Sequence, residues 1–139
     1  MAHFEGNLDV RLIDDGAAQG RGIWELLAPL IFISDLASTT FTVPIGFRTD
    51  FESVPRIPGV FDLLGDRASR ASALHDALYS GLFPAIPREI ADGILKEAML
   101  VTQVPLADAE LIYEGVRQFG ESHWYANKPT PSSTSINSN

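Results

Sequence analysis

The stretch Thr39-Thr40-Phe41-Thr42-Val43-Pro44 is rich in β-branched and aromatic residues and reads as a strand closed by a proline. Beyond Asp66 the pattern changes period: Ala73, Leu74, Ala77 and Leu78 recur at helical spacing and stop before Gly81 and Pro84. That change of period between the two halves decides the fold. Upstream, Leu30 to Ile33 forms another strand, Pro29 marks an edge or a break, and Leu8-Asp9-Val10-Arg11-Leu12-Ile13 with Gly22-Ile23-Trp24-Glu25-Leu26-Leu27 reads as a hairpin. The turn chemistry between those two comes from Asp14-Asp15-Gly16 and Gly20-Arg21-Gly22. Downstream, a helix capped by Ser69 or Asp66 is followed by a longer one that starts after Pro87 and runs to about Val101, with Ile90, Ile94, Ala98 and Val101 on one stripe and Glu89, Lys96 and Glu97 elsewhere. Leu106 to Phe119 makes a third helix, with Leu111, Ile112, Val116 and Phe119 as its expected buried face. The expected fold is α+β: a small antiparallel sheet from the N-terminal half packed against two or three helices from the C-terminal half.

At 139 residues with 45% hydrophobic content, the chain fits one domain with a sizeable core. Residues 1–125 are assigned to it. Residues 126–139, with Pro129-Thr130-Pro131-Ser132-Ser133, read as a flexible tail. No apolar run is long enough to span a bilayer, and the N-terminus lacks the basic-then-apolar pattern of a secretory signal, so the protein is expected in the cytoplasm of the cell that makes it. The absence of cysteine removes disulfide, thiolate and zinc-thiolate chemistry. Eighteen acidic against ten basic residues give a net charge of -8, and lysine occurs only at Lys96 and Lys128; a phosphate backbone is therefore not an expected partner.

Polar residue types that could do chemistry are concentrated in three clusters: Thr49-Asp50-Phe51-Glu52-Ser53-Val54-Pro55-Arg56, then Leu74-His75-Asp76-Ala77-Leu78-Tyr79, then Arg88 and Asp92. His75 and Tyr79 are four apart and share a helix face, with Asp76 about 100° round. Arg88 and Asp92 are likewise four apart and can pair. If the Asp50 loop folds over these helices, Asp50 could orient His75 through one ring nitrogen and leave the other as a base or ligand.

These clusters, in this order and preceded by the strand Ile45-Gly46-Phe47-Arg48, resemble the bacteriophage and prophage family catalogued as domain of unknown function 1353. The resemblance covers roughly residues 35 to 105. It implies a phage-encoded protein without implying a particular activity. Carried over by position, the polar signature falls on Thr49, Asp50, Ser53, Pro55, Arg56, His75, Asp76, Tyr79, Arg88 and Asp92. Glu52 departs from the pattern, which leads to the expectation of a small residue there.

Each cluster also has a structural reading. Asp50 and Ser53 can cap a turn, His75 can be a hydrogen-bonded core histidine, Tyr79 can be amphipathic core, and Arg88 with Asp92 can be a salt bridge. The His75-Asp76 dipeptide alone would suit a metal-dependent phosphohydrolase of the HD type, which needs another histidine well upstream; only His3, in a terminus expected to fray, is available. No G-x-S-x-G, H-E-x-x-H, P-loop or G-x-G-x-x-G motif occurs. A carboxylate pair for glycoside hydrolysis can be drawn from Asp50, Glu52 and Asp76, but eighteen acids make such a pair easy to find by chance.

Two functional expectations follow. In the first, a small phage accessory or virion-associated protein of the tail or baseplate type binds other phage proteins. In the second, a small hydrolase acts on the bacterial envelope or a host metabolite. There His75 would be the base or ligand, Asp50 and Asp76 orienting or ligating carboxylates, Tyr79 a further catalytic group and Arg88 an anion clamp; Thr49, Ser53, Arg56 and Asp92 would bind, and any divalent metal would sit on His75, Asp76 and Asp50. Binding is the preferred expectation because no complete catalytic template is present.

Overall fold

The computed structural model describes residues 1–15, 22–51 and 65–127. Glu52, Ser53, Pro55 and Arg56 lie outside that set, as do most of the expected tail and the turn of the N-terminal hairpin. Among the described residues six strands precede three α-helices: β1 (His3–Glu5), β2 (Val10–Asp14), β3 (Ile23–Leu26), β4 (Leu30–Ser34), β5 (Thr39–Val43), β6 (Arg48–Thr49), α1 (Ser69–Tyr79), α2 (Arg88–Val101) and α3 (Leu106–Phe119). This is the α+β class that the change of period indicated. The strands, however, form two antiparallel sheets of three rather than one, in the orders β1-β4-β5 and β2-β3-β6.

Two prolines account for the division. The strands β3 and β4 run out as one limb of a long ribbon, and β5 and β6 run back as the other: Glu25 pairs with Arg48 in one sheet and Leu30 with Val43 in the other. Pro29 interrupts the first limb and Pro44 the second, and neither residue can donate to a ladder. Just after Pro44, between β5 and β6, Gly46 at φ +89° supplies left-handed backbone, and its N–H donates to the Leu26 carbonyl at 2.9 Å. The ribbon therefore bends, and its halves recruit different third strands. The expected hairpin is present as β2–β3, whereas His3 belongs to a regular strand, β1, paired with β4 through His3↔Ile33 rather than fraying.

Alternation along β4 and β5 buries Leu30, Phe32, Phe41 and Val43 on one face. Helices α1 and α2 both pack on β4, α1 also reaches β6, and α3 packs on α2. Leu74 and Leu78 from α1, Ile94, Leu95 and Met99 from α2, and Ile112 from α3 complete the core. Helix boundaries follow the prolines. Pro87 and Pro105 stand immediately before α2 and α3, and their carbonyls accept the first helical bonds from Ala91 and Ala109, each at 2.9 Å. Ala68 occupies the cap position of α1 and makes no side-chain cap: a short 3-10 turn, Gly65–Ala68, feeds the helix, and Ser69 is already inside it.

Glu97, off the apolar stripe of α2, clasps the β4–β5 turn. Its carboxylate accepts Ser34 Oγ at 2.7 Å and the backbone N–H groups of Asp35 and Leu36 at 3.1 and 2.8 Å. Ser34 is buried and its hydroxyl accepts the Ala37 N–H, so the turn is organised from the helix side. Gly93, one turn earlier, makes room for Leu36, whose Cδ2 would lie 2.8 Å from a β-carbon there. Glu97→Ala leaves these donors without their charged acceptor and should destabilise the fold by about 2 to 3 kcal/mol in denaturant unfolding; a change below about 0.5 kcal/mol would mean the clasp contributes little.

Candidate functional site

The three helices converge on the carboxylate of Asp92, which is 0% exposed in the middle of α2. His75 Nε2 lies 2.7 Å from Asp92 Oδ1, and the Tyr79 hydroxyl donates to the same oxygen at 2.7 Å. Both come from α1, where their four-residue spacing places them on one face, their rings 4.3 Å apart between centroids. Asp92 Oδ2 accepts Arg117 Nη1 of α3 at 2.7 Å, with Arg88 Nε of α2 at 3.9 Å. Arg88 contributes more through its other contacts. Its Nε donates to the Tyr79 oxygen at 3.0 Å, and its Nη2 donates to the carbonyls of Val116 and Arg117 at 2.8 and 2.9 Å. A cation on the last carbonyls of α3 suits both their unfilled acceptor capacity and the helix dipole.

The electrostatics follow from this geometry. Burial alone would push the Asp92 carboxyl pKa up; hydrogen bonds from His75, Tyr79 and Arg117, together with the electrostatic attraction of His75, outweigh burial and hold it below the usual carboxylate value. Burial, reinforced by the neighbouring Asp92, pushes the Tyr79 phenol well above its ordinary value, and hydrogen bonding to Asp92 raises that of Arg117. Trp124 packs edge-on to Tyr79 at 5.1 Å. Gly120 completes the enclosure, since a β-carbon there would sit 2.7 Å from the Tyr79 hydroxyl and 2.5 Å from the Val116 carbonyl. The phenol can be this close to the end of α3 only because residue 120 has no side chain.

The expected site residues thus divide. His75, Tyr79, Arg88 and Asp92 come together as one cluster. Asp76 does not join them: it faces the other way and accepts a hydrogen bond from Thr49 Oγ1 of β6, tying α1 to the second sheet. Thr49 is buried, and its hydroxyl also accepts the Phe51 N–H at 3.0 Å, where Phe51 turns at φ +55°. Asp50 is half-buried beside it and does not orient His75; the partner of that imidazole is Asp92. His75, Asp76 and Asp50, the residues named for any divalent metal, do not form a ligand group, and among the described residues no three His, Asp or Glu groups are placed to hold one ion. Reading the residues in sequence missed Arg117. Its signal was a basic residue in the last turn of α3, a position that charge patterning alone assigns to solvent.

The cluster is closely hydrogen-bonded. Its central carboxylate has donors on both oxygens, and His75 is 1% exposed with Nε2 engaged. His75 Nδ1 and Ser72 Oγ are buried without a hydrogen-bond partner among the described residues. Asp92→Asn removes the anion while leaving its shape, and should cost about 3 to 5 kcal/mol, or roughly 10 to 15 °C in melting temperature. Because the folded carboxyl pKa is depressed, the unfolded chain binds a proton first as the pH falls. The wild-type advantage should therefore be complete above about pH 5 and shrink below about pH 4. Melting curves of both proteins across that range check this; a gap that stays constant with pH would contradict it.

The family model described as Protein of unknown function (DUF1353) matches residues 24–116, from the start of β3 to the last turn of α3. No curated protein matches the chain. No solved structure matches it either. The matched span takes in Thr49, His75, Asp76, Tyr79, Arg88 and Asp92, and stops one residue short of Arg117. By a match over most of its length, the chain belongs to the DUF1353 family.

Proposed function

We propose that this chain is a small phage-encoded accessory or virion-associated protein, of the tail or baseplate type, which acts by binding other phage proteins. The observation that carries the binding reading is the burial and saturation of Asp92. His75, Tyr79 and Arg88, the residues best suited to chemistry, are spent on joining α1, α2 and α3, and Asp76 on joining α1 to β6. The resemblance in the polar signature supports the phage context and, with it, the cytoplasm of an infected bacterium as the place of synthesis. One observation favours the alternative, a small hydrolase acting on the bacterial envelope or a host metabolite. Ser72 Oγ and His75 Nδ1 are bare polar atoms three residues apart on α1, while the opposite ring nitrogen of His75 is held by a carboxylate as a general base would be.

The two readings separate experimentally. Phage particles and assembly intermediates are fractionated from an infected or induced culture, and purified protein is assayed on peptidoglycan and on ester, amide and phosphate substrates with and without divalent metal. The binding reading expects the chain to co-migrate with structural proteins and to turn over none of these substrates. Turnover that disappears in His75→Ala while that variant remains folded would overturn it in favour of the hydrolase.

A further inference from the structure

The sequence pattern assigns Leu111, Ile112, Val116 and Phe119 to the buried face of α3; Ile112 and Val116 are buried there, together with Ala109, but Leu111 and Phe119 are not. Leu111 is 46% exposed and Phe119 76% exposed. With exposed Ala107 and half-buried Gly115 they form a series four residues apart, Ala107, Leu111, Gly115 and Phe119, each about 40° round from the last. This is the i±4 ridge with which helices interdigitate, and here it faces away from the core. An exposed phenylalanine on such a ridge is the kind of aromatic anchor that concentrates binding energy. Gly115 weakens a helix interior relative to alanine and, on a ridge, gives a partner close approach to the backbone.

Charge selects the partner. Glu110 and Glu114 run along one side of the ridge, both exposed, and Asp108 stands on the other side at its start. Glu110 is 3.8 Å from Lys96; Glu114 has no ion pair among the described residues. Two copies docking through this ridge would set acidic flanks near each other on chains that each carry a net charge of -8. A helix with lysine or arginine beside an apolar ridge meets the opposite situation. The platform is also rigid: Arg88 holds the Val116 and Arg117 carbonyls, and Arg117 holds Asp92, so docking has little left to order in α3.

We propose that the outward ridge of α3, Ala107-Leu111-Gly115-Phe119 with its Glu110 and Glu114 flank, is a docking surface for a basic amphipathic helix of a partner protein. This rests on the binding reading above and names its surface and the chemistry it selects.

The probe is a labelled helical peptide of about five turns with leucine at every fourth position and lysine on its flanks. It is compared with a glutamate-flanked version and with a scrambled lysine peptide of the same composition. Fluorescence anisotropy at near-physiological salt is measured with the full chain, with Leu111→Ser/Phe119→Ser and with Glu110→Lys/Glu114→Lys. Wild type should bind the lysine-flanked peptide at least about tenfold more tightly than either control. The serine pair should lose about tenfold while melting within a few degrees of wild type, and the lysine pair should reverse the charge preference. Equal affinity for the scrambled peptide, undiminished binding by the serine pair, or a wild-type dimer that the serine pair dissolves would overturn the proposal. If the serine pair still co-migrates with phage structural proteins as wild type does, the ridge is the wrong surface and the binding reading stands without it.

Discussion

A carboxylate removed from water carries a desolvation cost of several kcal/mol, and at Asp92 four side chains from three helices compensate it. Such a group accepts little displacement. If α1 slid along α2 by one residue, His75 and Tyr79 could not both reach Oδ1; if α3 rotated, Arg117 would leave Oδ2 with only the more distant Arg88. The network thus fixes the register of a helical layer whose apolar contacts, made largely by alanine and leucine, tolerate sliding far better. Removing any one partner from such a buried cluster leaves an uncompensated charge.

The sheet side has its own constraint, met by a second carboxylate on the same helix. Glu97 lies five residues beyond Asp92 and gathers three donors from the β4–β5 turn. Asp76, on α1, does the corresponding work for β6 through Thr49. Three acids of a strongly acidic chain are therefore fixed points where helices meet strands or other helices. Glu110 and Glu114, by contrast, stand exposed on α3.

Much of the fold is legible in local chemistry. The starts of α2 and α3 are set by Pro87 and Pro105, and Pro29 reads as a break because a residue without an N–H cannot sit inside a ladder. What sequence cannot express is where a break sends the chain: the bend at Pro29 and Pro44 yields two sheets because β1 and β2 add to different halves of the ribbon, a tertiary choice. The exposed positions of Leu111 and Phe119 have the same origin. Periodicity finds a hydrophobic stripe, but among the described residues α3 packs mainly on α2, so the stripe is split between that contact and solvent. Within the site, the Arg88–Asp92 and His75–Tyr79 pairs follow from four-residue spacing. The bond that joins the two pairs, from His75 to Asp92, spans 17 residues and two helices, and Arg117 enters from a third.

The central claim is that His75 and Asp92 form a closed structural contact rather than a reactive one, and the imidazole proton reports on it most directly. Nitrogen-detected NMR of the intact chain should show an Nε2–H resonance that exchanges with solvent only as slowly as the core amides of Leu95 and Met99, through unfolding of the domain. A ring proton that exchanges rapidly while those amides remain protected would mean that solvent, and with it a substrate, reaches His75 in the folded protein, and the account would be wrong.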